Sequence, residues 1–115
     1  MGKRPASMFY WMDFDRDTRA LSLRAVGAWM RIMGQLHFSN DRGRKRQSVR
    51  SWANVTGCTP SKLEKIISEL KEHNVGEFRN YNGQLTIISR RMIREEEQRE
   101  NENDRVRRFR LRGKQ

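Results

Sequence analysis

The sequence predicts a mainly α-helical fold with a small β-hairpin: a winged helix-turn-helix plus an exposed C-terminal helix. Three observations carry that prediction. Residues 49–70 read as a helix, a tight turn and a second helix. Residues 75–89 switch from helical to alternating periodicity around Asn82-Gly83. From residue 90 onward the composition turns sharply charged, and apolar side chains become rare. The 115 residues give room for one domain with an appended tail. We divide them into a flexible basic N-terminus at 1–7, a winged-helix domain at 8–89, and a charged helix with a basic tail at 90–115.

The two helices of 49–70 are specified residue by residue. Ala53 is small, so the second helix can cross close to the first. Gly57 follows four residues later, where the chain must turn and positive φ is cheap only for glycine. Thr59 can cap the next helix, and Pro60 fits its first position, where a missing N–H costs nothing. Trp52, Val55, Leu63, Ile66, Ile67 and Leu70 are the apolar positions that knit the pair together. An ordinary αα-hairpin would share these local signals. The segments on either side favour the helix-turn-helix.

The hairpin is the second signal. Asn82-Gly83 suits a two-residue type I′ turn. Such a turn pairs Phe78 with Ile87 and Asn80 with Leu85, putting Phe78, Leu85 and Ile87 on one inward face. Arg79 and Tyr81 then point to the other face, near the tip. A hairpin directly after the second helix has the position of a wing.

Upstream, residues 8–14 are aromatic and are expected to lie extended or irregular against the domain. Asp13, Asp15 and Asp17 alternate with other residues, but the glycine and late glutamate of a calcium loop are missing. Turn and cap roles are expected for them, and no metal. Residues 22–38 form the most strongly periodic helix, with one stripe of Leu23, Val26, Gly27, Met30, Met33, Gly34 and His37. Trp29, Ile32 and Leu36 make a second stripe. That face is wider than one neighbour needs, so this helix is either the centre of the domain or partly a homodimer surface. Gly27 and Gly34 would let another helix approach closely. His37 is expected as a helix-terminal cation or a core filler. Residues 40–47 read as a turn and a basic run, a short edge strand or a loop. The remaining helices are expected at 48–55, at 60–73, and from about Arg90 to about Glu100. Arg91–Glu95 and Glu95–Arg99 would support that last helix at i, i+4 spacing, with a basic tail beyond it.

Charge bounds the function. Twenty-five basic residues against 14 acidic ones leave a formal charge of +11, a field that favours a polyanion. There is no glycine-rich phosphate loop with a lysine, no cysteine–histidine cluster and no serine nucleophile elbow. The single cysteine, Cys58, excludes an internal disulfide and is expected as a small buried side chain in the turn. The chain therefore reads as a binding module and not an enzyme, with no cofactor. The apolar run at 8–12 is too short for a signal-peptide core, and nothing approaches a membrane span. A cytoplasmic protein is expected.

The expected partner is double-stranded DNA. Ser61, Lys62 and Lys65 lie on the outer face at the start of the second helix, where base edges would be met. Arg44, Lys45, Arg46, Arg50, Arg79, Tyr81 and the tail arginines Arg105, Arg107 and Arg108 would lie along the phosphates. Arg42 belongs to the same basic run. Glu69 and Glu72 would repel phosphate, so only the helix N-terminus should enter the groove. The alternative is a protein-interaction or dimerisation scaffold using the wide face of 22–38.

Three stretches also resemble a known family. They are Phe9-Tyr10-Trp11-Met12-Asp13-Phe14 followed by Asp17-Thr18-Arg19-Ala20-Leu21-Ser22, the helix of 25–38, and Arg90-Arg91-Met92-Ile93-Arg94-Glu95-Glu96-Glu97. Their order and spacing are similar to those of the small phage and prophage replication proteins of the DUF1376 family, which are related to phage replisome organisers. The resemblance implies a winged-helix domain that binds origin DNA in phage-type replication initiation, in the cytoplasm of a bacterial host. It also implies a helicase or helicase loader as a further partner. A phage transcription regulator is the alternative. Two features depart from the family. The loop after the central helix is rich in arginine and lysine, where a shorter Gly-Leu-Pro-type turn is usual, and the glycine-rich C-terminal segment is missing.

Overall fold

Eight elements follow one another in a computed structural model that describes residues 10–113. They are α1 (Trp11–Thr18), α2 (Leu23–His37), β1 (Arg44–Ser48), α3 (Val49–Thr56), α4 (Pro60–Glu72), β2 (Glu77–Tyr81), β3 (Gln84–Ile88) and α5 (Arg90–Gly113). The chain is mainly helical with a small antiparallel sheet of order β1-β3-β2. The expectations for 1–9 and for the end of the basic tail, 114–115, fall outside the described residues.

The α3–α4 pair forms for the reasons its sequence gives. Gly57 ends α3 at φ +74°, and the N–H of Cys58 returns to the Ala53 carbonyl. Thr59 caps α4 by accepting from the Lys62 N–H at 3.2 Å, with Pro60 at the first helical position. Trp52, Ala53, Leu63, Ile66, Ile67 and Leu70 are buried. Cys58 is half-buried, with Sγ 3.2 Å from the Thr56 hydroxyl. Trp52 Nε1 donates to the Leu85 carbonyl at 2.8 Å, which ties this pair to the sheet.

The hairpin has the expected register, Phe78 with Ile87 and Asn80 with Leu85, around positive-φ Asn82 and Gly83. The basic run 44–48 resolves into a strand that pairs with β3, so β3 is central and the sheet has three strands rather than two.

Several expectations are corrected. The aromatic stretch is helical from Trp11, not extended. Asp13, Asp15 and Asp17 lie inside α1 rather than at turns, and they pair with Arg16, Arg19 and Arg91. The seam of α2 is Ala25, Ala28, Trp29, Ile32 and Leu36, all buried. Leu23, first in the other proposed stripe, is 91% exposed, and a Cβ on Gly27 or Gly34 would meet nothing. Helix α5 continues well past Glu100. Its far half is held by Arg105–Glu102, Arg107–Asp104 and Arg108–Asp104 pairs one turn apart. Arg91 pairs with Glu95 as expected, but Arg99 lies beside Glu96 because Glu95 turns to Arg42.

The core lies between α2, α3, α4 and the inner sheet face. Helix α5 buries no residue and, at 1.5 Å per residue, runs about 36 Å.

Candidate nucleic-acid interface

The start of α4 presents Ser61, Lys62 and Lys65 to solvent, while Leu63, Ile66 and Ile67 face inward. Its first N–H groups give this end partial positive charge. Farther along, Glu69 is not idle on the outer face. It accepts from the Ser22 backbone N–H and from the Ser22 hydroxyl, the latter at 2.8 Å. Those bonds, the backbone one first, hold its carboxyl below the usual glutamate range. Glu72 remains exposed.

The sheet registers bring distant residues into rows. Arg46 and Arg79 both pair with Thr86, one from each side. They lie on one face, about 10 Å apart at the strand spacing. Arg44, Ile88 and Glu77 form the next row on that face, and Ser48, Gln84 and Tyr81 the row beyond. Arg46, Arg79 and Tyr81 are exposed, Tyr81 at 74%. Arg79 lies 3.8 Å from Glu77, and Arg44 lies 3.1 Å from Asp41. Arg50 is exposed in the first turn of α3, immediately after β1.

Other predicted contacts are not brought together. Lys45 points to the opposite sheet face, where its ammonium donates to Gln35 Oε1 at 2.8 Å. Alternation along β1 separates it from Arg44 and Arg46. Arg42 is 8% exposed, so it offers nothing to a phosphate. Its guanidinium reaches Glu95 at 3.0 Å, Glu96 at 3.3 Å and His37 Nδ1 at 3.0 Å. His37 is thus an acceptor in a buried hub, not a helix-terminal cation. Arg105, Arg107 and Arg108 stand on the exposed far half of α5, paired with Glu102 and Asp104. Hydrogen bonding from Arg107, with Arg108 adding its charge, holds the Asp104 carboxyl below the usual aspartate range.

One cation escaped the sequence reading. Arg31, exposed on α2, extends its guanidinium against Gly57 in the turn. Nothing in the α2 pattern could have announced it, because the contact is made across helices. Among the described residues no group of three His, Cys, Asp or Glu side chains could hold a metal, and no helix is long and apolar enough to cross a membrane.

No family model, curated protein or solved structure matches the chain, so the likeness to phage replication proteins rests on the three stretches quoted above.

Proposed function

We propose that the chain is a winged helix-turn-helix module that binds double-stranded DNA, with α4 as the recognition helix and the β2–β3 hairpin as the wing. The single observation behind this reading is the row Arg46–Thr86–Arg79. It gathers cations from two strands onto one exposed face of the sheet that Trp52 ties to the helix pair. A surplus of positive charge over the whole chain agrees with a polyanionic partner. Lys62 and Lys65 meet base edges, while Arg46, Arg50, Arg79 and Arg31 hold phosphates. The module does no chemistry of its own. The resemblance to phage replication proteins favours origin binding in a bacterial cytoplasm over transcription control, with a helicase or its loader as a later partner.

The test is Lys62→Ala with Lys65→Ala, measured on the preferred duplex and on a scrambled one at fixed salt. Both lysines are exposed, so thermal unfolding should not change. Affinity for the preferred site should drop by about 1–3 kcal/mol per lost base contact, and scrambled binding by less. Unchanged site preference in the folded double variant would remove α4 as the reading element and support the scaffold reading.

A further inference from the structure

We propose that the outer face of the sheet takes an unpaired nucleotide of a DNA strand that leaves the duplex, its base stacked on Tyr81 and its flanking phosphates on Arg79 and Arg46. The inference rests on reading this face as a nucleic-acid surface. It adds the form of DNA that fits the face: a duplex continued by a single strand.

The register sets what the face carries. Arg46, Thr86 and Arg79 make one row across β1, β3 and β2. Ser48, Gln84 and Tyr81 make the next, about 7 Å nearer the hairpin tip, and alternation puts all six on one side. These two rows hold two guanidinia and no carboxylate. Glu77 is the one acid in the three strands. It stands a row behind, 3.8 Å from both Arg79 and Arg90. Asp41, outside the strands, pairs with Arg44 at 3.1 Å. Among the described residues Arg46 has no acidic partner, and Arg79 has only that long contact. Both are open to an incoming phosphate.

Phosphates alone do not account for the second row. Ser48 is engaged as the cap of α3, so the groups left to a ligand are Tyr81 and Gln84. Tyr81 is 74% exposed, and the Gln84 amide paired across from it makes no hydrogen bond among the described residues. A lone exposed ring is ordinary on a protein surface. This one stands two residues from Arg79 and one strand from an unoccupied amide, on rows without acid. An aromatic ring stacks any base, and a side-chain amide bonds a base edge. Both contacts need the base to be free. In a duplex its faces are covered by its neighbours and its pairing edge by its partner. An unpaired base offers face and edge together, while its backbone crosses the arginine row. The arginines hold phosphates of either form, and Tyr81 adds affinity only for the open one.

The experiment measures binding of the full chain to three DNAs at one salt concentration. One is a duplex ending in a 3′ run of unpaired thymidines, one carries the run at the 5′ end, and one is a blunt duplex of the same total length. In at least one polarity the tailed DNA should bind about fivefold or more tightly than the blunt one. Tyr81→Ala should remove that gain and leave blunt binding as it was. Tyr81→Phe should keep the gain, because the ring does the stacking. Arg46→Ala should weaken both forms alike. Tyr81 and Arg46 are exposed, so thermal unfolding of every variant should match the parent. No gain in either polarity, or a gain that survives Tyr81→Ala, would overturn the proposal. An equal loss on blunt DNA would also overturn it, and would make Tyr81 a groove contact of the wing. The blunt duplex keeps the two readings apart. A chain that binds it with no gain from a tail defeats this inference alone, whereas a chain that binds none of the three defeats the DNA reading as well.

Discussion

Glu69 of α4 accepts hydrogen bonds from both the backbone N–H and the hydroxyl of Ser22, 47 residues earlier. Ser22 in turn caps α2 through the Ala25 N–H. One carboxylate thus closes the N-terminus of the central helix, where a negative charge is favoured.

The first prediction follows from the protonation of that carboxyl. It is more acidic in the folded chain than in the unfolded one, so folding is favoured wherever it stays ionised. The contribution is complete above its ordinary value of 4.5 and is lost as pH falls below that through the depressed folded value. Near neutral pH, Glu69→Ala should lower stability by about 1 kcal/mol, because the site is solvent-accessible and screened. Urea unfolding near neutrality and again well below pH 4.5 measures both parts. The variant should lie close to the parent in acid and below it at neutrality.

Two glycines with the same backbone conformation should respond differently to alanine. Gly76 and Gly83 have φ of +75° and +73°. At Gly83 a Cβ meets nothing within 4 Å, so Gly83→Ala should cost about 1 kcal/mol, the penalty for a left-handed residue alone. At Gly76 the Cβ would fall 2.7 Å from the buried Trp29 ring. Overpacking adds about 1–3 kcal/mol to the same backbone penalty. Thermal unfolding of the two variants side by side decides it. Equal losses would mean that Trp29 moves aside freely.

Arg42 and Arg44 separate stability from binding. Removing Arg42 takes the buried guanidinium from Glu95, Glu96 and His37, leaving Glu95 to Arg91 and Glu96 to the more distant Arg99, and breaking a buried pair costs about 3–5 kcal/mol. Both glutamates keep some contact with water, so about 2–4 kcal/mol is expected for Arg42→Met. Hydrogen exchange at the base of α5 should rise with it. Arg44→Met breaks only an exposed pair with Asp41, and its stability should change by less than about 1 kcal/mol.

These contrasts also mark what a linear reading can reach. The α3–α4 pair and the hairpin were legible because each is set by local chemistry: Gly57, Thr59 and Pro60 in one, Asn82-Gly83 in the other. Helix α2 was legible as a helix, and so were Trp29, Ile32 and Leu36 of its seam, but the seam's alanines were not. Ala25 and Ala28 carry little hydrophobic weight in a pattern, yet they admit the neighbouring helices, whereas Leu23 stays in water. In α1 the aromatic residues hid a helix that its aspartate–arginine pairs support. The candidate site was half legible. Basic residues can be counted, but Arg42, Lys45 and Arg46 have three fates within five positions. The pairing of β1 with β3, between segments some forty residues apart, assigns Lys45 and Arg46, and the approach of α5 assigns Arg42.

That pairing yields the last prediction. Arg46 and Arg79 flank Thr86 on the outer face of the sheet, while Lys45 is turned inward to Gln35. If the outer face lies along a DNA backbone, each arginine neutralises one phosphate and releases its counterions. The slope of log K against log salt should then flatten by about 0.9 for Arg46→Ala and again for Arg79→Ala. Lys45→Ala should leave the slope unchanged, because its ammonium never reaches the solvent face, and should slightly lower stability through the lost bond to Gln35. All three variants keep the strand backbone, so far-ultraviolet dichroism should match the parent. Binding to one duplex over a range of salt gives the slopes directly. A slope that follows Lys45 and ignores Arg46 and Arg79 would put the DNA on the other side of the molecule.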